Sequence, residues 1–136
     1  MTRAEMSLGK PTYEITVETT FSASHQLRGY RGDIEPLHGH NFRVEAAVIA
    51  RKLDKLGLGL DFVELEKDLR DILAPYDHRH LNELPPFDEL NPTTENMARW
   101  LFERLEEKMS PRGLDVRRVR VWEAPTYSAS YEPGVP

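Results

Sequence analysis

Residues 13–25, YEITVETTFSASH, alternate between apolar and polar side chains, and this alternation constrains the fold more than any other feature. Tyr13, Ile15 and Val17 fall on one side of an extended chain, and acidic or hydroxyl side chains fall on the other. A period of two is typical of a half-buried β-strand. The alternation drifts near Thr19–Thr20, which allows a β-bulge at that point.

A second alternating stretch, NFRVEAAVIARK at residues 41–52, predicts a second strand. One face of that strand would carry Phe42, Val44, Ala46 and Val48. The intervening LRGYRGDIEP, residues 27–36, contains two glycines and a proline, which favour a loop. Near the C-terminus, residues 116–133 predict two more strands joined at about Ala124–Pro125.

Two segments between these strand pairs have the spacing of helices. Residues 62–74 repeat apolar side chains at steps of three and four, with Asp61 placed to cap the first turn. A second helix begins at Thr93 or Thr94 and ends at SPRGLD, residues 110–115. The expected buried side chains are Phe62, Leu65, Leu69, Ile72 and Leu73 in the first helix, and Met97, Trp100, Leu101 and Leu105 in the second.

The order strand, strand, helix, helix, strand, strand predicts one α+β domain over residues 1–136, with residues 1–11 as a loose N-terminal arm. We expect a four-stranded antiparallel sheet with both helices packed on one face.

Composition excludes several classes of function. The net charge is −5, which disfavours nucleic acid as a partner because that binding depends on clustered lysine and arginine. No stretch approaches the ~18 apolar residues of a membrane span, and the N-terminus lacks the apolar core of a secretory signal. The chain has no cysteine, so neither a disulfide nor a thiolate is available. We expect a cytoplasmic protein with no membrane or nucleic-acid partner.

Two of the five histidines flank Gly39 in LHGHNF. In an extended segment His38 and His40 point to the same side, about 7 Å apart along the backbone. Imidazole nitrogen is a preferred ligand of Zn²⁺, so this pair supplies half of a zinc site. His25 ends the first strand, and antiparallel pairing would bring it to the same place. Three histidines leave a fourth position open, as in catalytic zinc sites; the alternative is that they are surface or loop residues.

Six motifs occur in an order that resembles the 6-pyruvoyl tetrahydropterin synthase / 6-carboxytetrahydropterin synthase family: FSASH, LHGHNF, DFVELEKDL, YDHRHLN, NPTTEN and VWEAP. The resemblance runs from about residue 13 to residue 132. It implies a tunnelling fold (T-fold) that assembles into homo-oligomers, usually hexamers. It also implies Zn²⁺ held by His25, His38 and His40, and a pterin substrate, 7,8-dihydroneopterin triphosphate.

The chain departs from the family at the catalytic cysteine, whose position is taken by Ile34. Glu35 stands three residues before His38, which resembles the subgroup that uses glutamate and makes 6-hydroxymethyl-7,8-dihydropterin. A carboxylate beside an open metal site can act as a general base, and Pro36 can orient it. Glu35 is therefore the candidate base; the alternative is a solvated loop acid.

The resemblance implies further site residues. Asp77 and His78 match an aspartate–histidine pair that assists proton transfer, and Glu123 matches the glutamate that anchors the pterin ring. Thr94 and Glu95 are weaker candidates for substrate binding. The family shares its pockets between subunits, so His78 or Glu123 could serve a neighbour's metal. His80 has no assigned counterpart and is expected to be a surface or loop-packing residue.

These residues predict a zinc-dependent carbon–carbon lyase that cleaves the side chain of 7,8-dihydroneopterin triphosphate. The alternatives are 6-carboxy-5,6,7,8-tetrahydropterin synthase or 6-pyruvoyl tetrahydropterin synthase activity, which the missing thiol weakens, and a non-catalytic pterin- or metal-binding homologue. A structural zinc protein is disfavoured, because closed structural sites prefer cysteine.

Overall fold

The computed structural model describes residues 10–134. Its elements are β1 (Tyr13–His25), β2 (His38–Ala50), α1 (Phe62–Leu73), β3 (Arg79–His80), α2 (Thr94–Met109), β4 (Asp115–Ala124) and β5 (Tyr127–Tyr131), with short 3₁₀ helices at Leu81–Glu83 and Ser110–Arg112. The α+β prediction is confirmed. Residues 1–9, most of the predicted N-terminal arm, lie outside the described residues.

The sheet has five strands in the order β3-β1-β2-β4-β5, one more than predicted. The pairs β1–β2, β2–β4 and β4–β5 are antiparallel. Strand β3 pairs in parallel with β1 at Ala23 and Ser24. The prediction missed β3 because a strand of two residues, Arg79–His80, carries no alternation.

β1 and β2 pair without a shift from Tyr13 opposite Ala50 to His25 opposite His38. The bulge that the sequence allowed near Thr19–Thr20 does not form in this pairing. Thr19 takes a core-facing position and is only 4% exposed, so a buried hydroxyl interrupts the hydropathy pattern and not the backbone. The register shifts instead where β4 pairs with its two neighbours.

The helices cover one face of the sheet, as predicted. Each helix begins at a predicted cap: Asp61 Oδ1 accepts a hydrogen bond from Val63 N at 2.8 Å, and Thr93 Oγ1 accepts one from Asn96 N at 3.1 Å. The helical residues buried against the sheet are Leu65, Leu69, Leu73, Met97, Ala98, Leu101, Phe102, Leu105 and Met109.

One predicted core residue is exposed. Phe62 is the first residue of α1 and 60% of its surface is accessible, because α1 makes its buried contacts from Leu65 onward. The core face of β2 agrees with the prediction, since Phe42, Val44 and Val48 are fully buried. Neither helix of residues 10–134 is long and apolar enough to cross a membrane.

Candidate metal centre

The three predicted metal ligands come together at one end of the β1–β2 pair. His25 and His38 are directly opposed in the register, and His40 lies two residues further along the same face of β2. His25 is only 2% exposed, and it continues the core-facing set of β1 side chains. The strand pairing that builds the core therefore also brings these imidazoles together.

A carboxylate completes the group. Glu123 Oε1 lies 3.0 Å from His25 Nε2, 2.9 Å from His40 Nε2 and 3.7 Å from His38 Nε2. The Nε2 atoms of His25 and His38 are 3.0 Å apart. All four ligand atoms lie within 4.8 Å of one another. We call His25, His38, His40 and Glu123 the metal group.

Backbone carbonyls orient two of the rings. His25 Nδ1 donates to Pro92 O and His38 Nδ1 donates to Pro36 O, each at 2.8 Å. A carbonyl only accepts, so each Nδ1 carries the hydrogen, and the Nε2 atom of a neutral ring then keeps its lone pair. This arrangement is typical of metal-ligating histidines.

The third ring is also suited to bind a metal. Burial, assisted by the neighbouring His25 and His38, lowers the pKa of His40 below its ordinary value, while Glu123 acts in the opposite direction. A lowered pKa favours the neutral imidazole that a metal requires. His40 Nε2 is buried and has no well-aligned hydrogen bond to any of residues 10–134, although Glu123 Oε1 lies 2.9 Å away.

The metal group fits a divalent cation. An imidazole nitrogen that keeps its lone pair and a carboxylate oxygen repel each other at 2.9–3.7 Å unless a positive charge lies between them. Ligands at about 2.0–2.1 Å from a tetrahedral Zn²⁺ are separated from one another by about 3.3 Å. The observed spacings bracket that value.

Glu35 lies beside the metal group. Its Oε1 atom is 3.7 Å from His38 Nε2 and accepts a hydrogen bond from Leu27 N at 3.3 Å. Glu35 N donates to Leu27 O at 3.0 Å, so the backbone holds this residue in place. The neighbouring Ile34, at the position of the family's cysteine, is 60% exposed.

The aspartate–histidine pair forms, but apart from the metal group. Asp77 Oδ1 is 3.0 Å from His78 Nδ1 and accepts from Ser22 N at 2.9 Å. The His78 side chain is 79% exposed and makes no contact with the metal group within residues 10–134. His78 and His40 nevertheless line one cleft of about 440 Å³.

The weaker candidates also lie outside the metal group. Thr94 Oγ1 donates to Glu95 Oε1 at 3.0 Å at the start of α2, and neither residue contacts a ring of the metal group in the described part of the chain. His80 Nδ1 is 2.9 Å from Ser24 Oγ, which agrees with the expectation of a packing residue.

Sequence reasoning missed the groups that support the rings. Pro36 and Pro92 act through their carbonyls, which no side-chain motif reveals. Asn91 holds the chain after His25, because its Oδ1 accepts from Arg28 N at 2.8 Å and its Nδ2 donates to Arg28 O at 2.9 Å. An asparagine before a proline in a long loop was the only available signal.

The fold and its metal group define an α+β protein with a candidate metal-dependent site. A family model described as 6-pyruvoyl tetrahydropterin synthase matches residues 14–134, and the chain belongs to that family. Its members act on pterins.

Two curated relatives and one solved structure illustrate the similarity. A protein of Archaeoglobus fulgidus, provisionally named 6-carboxy-5,6,7,8-tetrahydropterin synthase, is 39% identical over 80% of this chain and 86% of its own. The dihydroneopterin monophosphate aldolase of Pyrococcus furiosus is 32% identical over 87% and 96%. The structure of Caenorhabditis elegans 6-pyruvoyl tetrahydropterin synthase shares the fold with a TM-score of 0.77 at 24% identity, covering 92% of this chain and 98% of that one.

Proposed function

We propose that this protein is a zinc-dependent lyase that cleaves the side chain of a phosphorylated 7,8-dihydroneopterin, with the triphosphate as first candidate substrate. The products are 6-hydroxymethyl-7,8-dihydropterin and a phosphorylated two-carbon aldehyde. The observation that carries the proposal is Glu35 Oε1 at 3.7 Å from His38 Nε2 in a chain with no cysteine. The name of the Pyrococcus furiosus relative supports an aldolase reaction.

The reaction needs a base and an acid. Removal of the proton from the C2′ hydroxyl forms the aldehyde as the C1′–C2′ bond breaks, and the electron pair passes to C1′ and the pterin ring. C1′ then takes up a proton. When bound, a divalent metal such as Zn²⁺ supplies Lewis acidity, which lowers the pKa of hydroxyl groups beside it.

Glu35 is the proposed base. Its carboxylate lies next to the metal group, and the hydrogen bond from Leu27 N holds Oε1 in position. A positioned carboxylate can accept the C2′ proton and contributes a factor of about 10²–10⁴ in rate.

Asp77 and His78 are the proposed proton donor. The Asp77 carboxylate, 3.0 Å from His78 Nδ1, orients the ring. Because His78 is exposed and apart from its own metal group, we propose that it serves the site of a neighbouring copy in a homo-oligomer, with a hexamer as the expected form. Glu123, Thr94 and Glu95 remain proposed pterin contacts.

The second candidate is 6-carboxy-5,6,7,8-tetrahydropterin synthase, which the name of the Archaeoglobus fulgidus relative favours. Product analysis separates the two. Protein loaded with Zn²⁺, and the same protein treated with a chelator, would be incubated with 7,8-dihydroneopterin triphosphate and with its monophosphate. Metal-dependent release of 6-hydroxymethyl-7,8-dihydropterin supports the lyase. A carboxy- or pyruvoyl-pterin as the sole product would refute it, as would pterin binding without turnover.

A further inference from the structure

The carboxylate of Glu123, which the resemblance assigns to the pterin ring, lies against the imidazoles of the metal group. Glu123 Oε1 lies 2.9 Å and 3.0 Å from the ε-nitrogens of His40 and His25, and 3.7 Å from that of His38. A metal ion held by three histidines would have a further coordination position, and Glu123 is near enough to the rings to supply that ligand. No arginine, lysine or backbone amide of residues 10–134 contacts this carboxylate.

The backbone of β4 is irregular at Glu123. The pairing of β4 with β5 shifts between Trp122 and Ala124, so Glu123 has no partner residue in β5. Such irregularities redirect a side chain and are common beside active sites. The preceding Val121 is fully buried on the helix-covered face, and Glu123 follows on the same side of β4.

We propose that Glu123 is the fourth metal ligand in the free protein and leaves the metal when a pterin ring binds. The second half of this inference rests on the proposed function. A carboxylate gripping the N3–H and 2-amino groups of a pterin uses both oxygens in a bidentate contact. In that contact Oε1 would face the ring, and it would then leave its position 2.9–3.7 Å from the ε-nitrogens of the imidazoles.

The exchange makes access to the metal depend on the ring. With Glu123 in place, the metal group offers four protein ligands, which is the closed arrangement of a structural site. Once the carboxylate turns to the ring, three histidines remain and one position opens, as in a catalytic site. A phosphorylated polyol that lacks the pterin ring would leave Glu123 in place. Glu123 thus selects for the ring before the side chain is engaged.

Metal affinity tests the first half of the proposal without turnover. Glu123→Gln should bind Co²⁺ at least about 10-fold more weakly than wild type in competition with a chromophoric chelator, because it removes a charged ligand. Its visible Co²⁺ bands should also change. Glu35→Gln and Glu18→Gln, the second altering an exposed carboxylate of β1, should keep wild-type affinity and bands. Equal affinity and identical bands in Glu123→Gln would overturn the assignment. Far-UV circular dichroism verifies that each variant is folded.

The exchange is tested on the unaltered protein, so it does not depend on the folding of any variant. Pterin without a side chain, added to the Co²⁺ protein, should shift the wild-type bands to those of Glu123→Gln. Pterin that binds, by its fluorescence, without moving the bands would overturn the exchange. Pterin that fails to bind would overturn both the exchange and the proposed function, whereas band shifts without turnover of any dihydroneopterin phosphate would refute the proposed function alone.

Discussion

The side-chain amide of Asn82 forms two hydrogen bonds with the backbone N–H and C=O of Gln26, as a neighbouring strand would. Asn82 Oδ1 accepts from Gln26 N at 2.8 Å, and Asn82 Nδ2 donates to Gln26 O at 2.7 Å. Gln26 directly follows His25, so the 3₁₀ helix Leu81–Glu83 fixes the chain beside the first candidate metal ligand. Asn82 itself contacts no member of the metal group within residues 10–134, so any support that it gives to the site passes through Gln26.

Asn82→Ala should lower the free energy of unfolding by about 1–3 kcal/mol, because the backbone groups of Gln26 lose their partners. It should also weaken metal binding, because His25 is less firmly placed. Urea denaturation and chelator competition measure the two effects. Asn41→Ala, which removes one exposed contact with Ser22, is the matched control. Wild-type metal affinity in Asn82→Ala would show that Asn82 does not support the metal group.

Glu35→Gln should reduce turnover of the dihydroneopterin phosphate at least about 100-fold, the usual loss when a general base is removed. Metal content should not change, since Glu35 lies outside the metal group. Steady-state kinetics and metal analysis of the same sample provide the measurement. Glu18→Gln is the control and should retain activity. Activity close to wild type in Glu35→Gln would remove this residue from the mechanism.

Glu35→Gln and His78→Asn should each be nearly inactive, yet a mixture that exchanges subunits should recover activity. If a site combines Glu35 from one copy with His78 from another, some mixed sites contain both unaltered residues. Activity before and after exchange is the measurement. Glu35→Gln mixed with Glu123→Gln should recover none, because both residues belong to one copy's half of the site. A mixture of the first two variants that stays inactive would contradict the shared site.

Removal of the metal should lower the melting temperature. A ligand that binds only the folded chain stabilises it by about 2.7 kcal/mol when its free concentration is about 100 times Kd. Calorimetry with Zn²⁺ and after dialysis against a chelator measures the shift. His80→Ala should retain the metal-dependent shift and His38→Ala should lose it. Equal melting temperatures with and without Zn²⁺ in the wild-type protein would argue against the metal group.

Alternation and helical spacing were sufficient to predict the main strands and both helices. Each of these elements buries one face, so its apolar residues recur with the period of a strand or of a helix. Thr19 shows the limit of this signal. A threonine can occupy a core position of a strand, and a polar residue at such a position makes the alternation look interrupted although the register does not change. Phe62 shows a second limit, because the periodic pattern does not reveal at which residue a helix begins to contact the sheet.

The candidate site was predicted in part for a related reason. His38 and His40 are neighbours in sequence, and His25 follows from the pairing of consecutive strands. Glu123 lies 98 residues after His25, and its place among the imidazoles depends on the pairing of β4 with β2 and on a local irregularity of β4, neither of which is visible as a sequence pattern. Likewise, the exposed position of His78 follows from the course of a loop and not from any motif.

The uninterrupted pairing of β1 with β2 ties chemistry to folding. A slip of one residue between these strands would turn their side chains to the opposite faces, because adjacent residues point in opposite directions. Phe21 and Phe42 would lose their buried contacts in the same step that separated His25 from His38. The same register therefore buries the core residues and aligns the candidate metal ligands, so a misaligned β1–β2 pair would lose core packing together with the site.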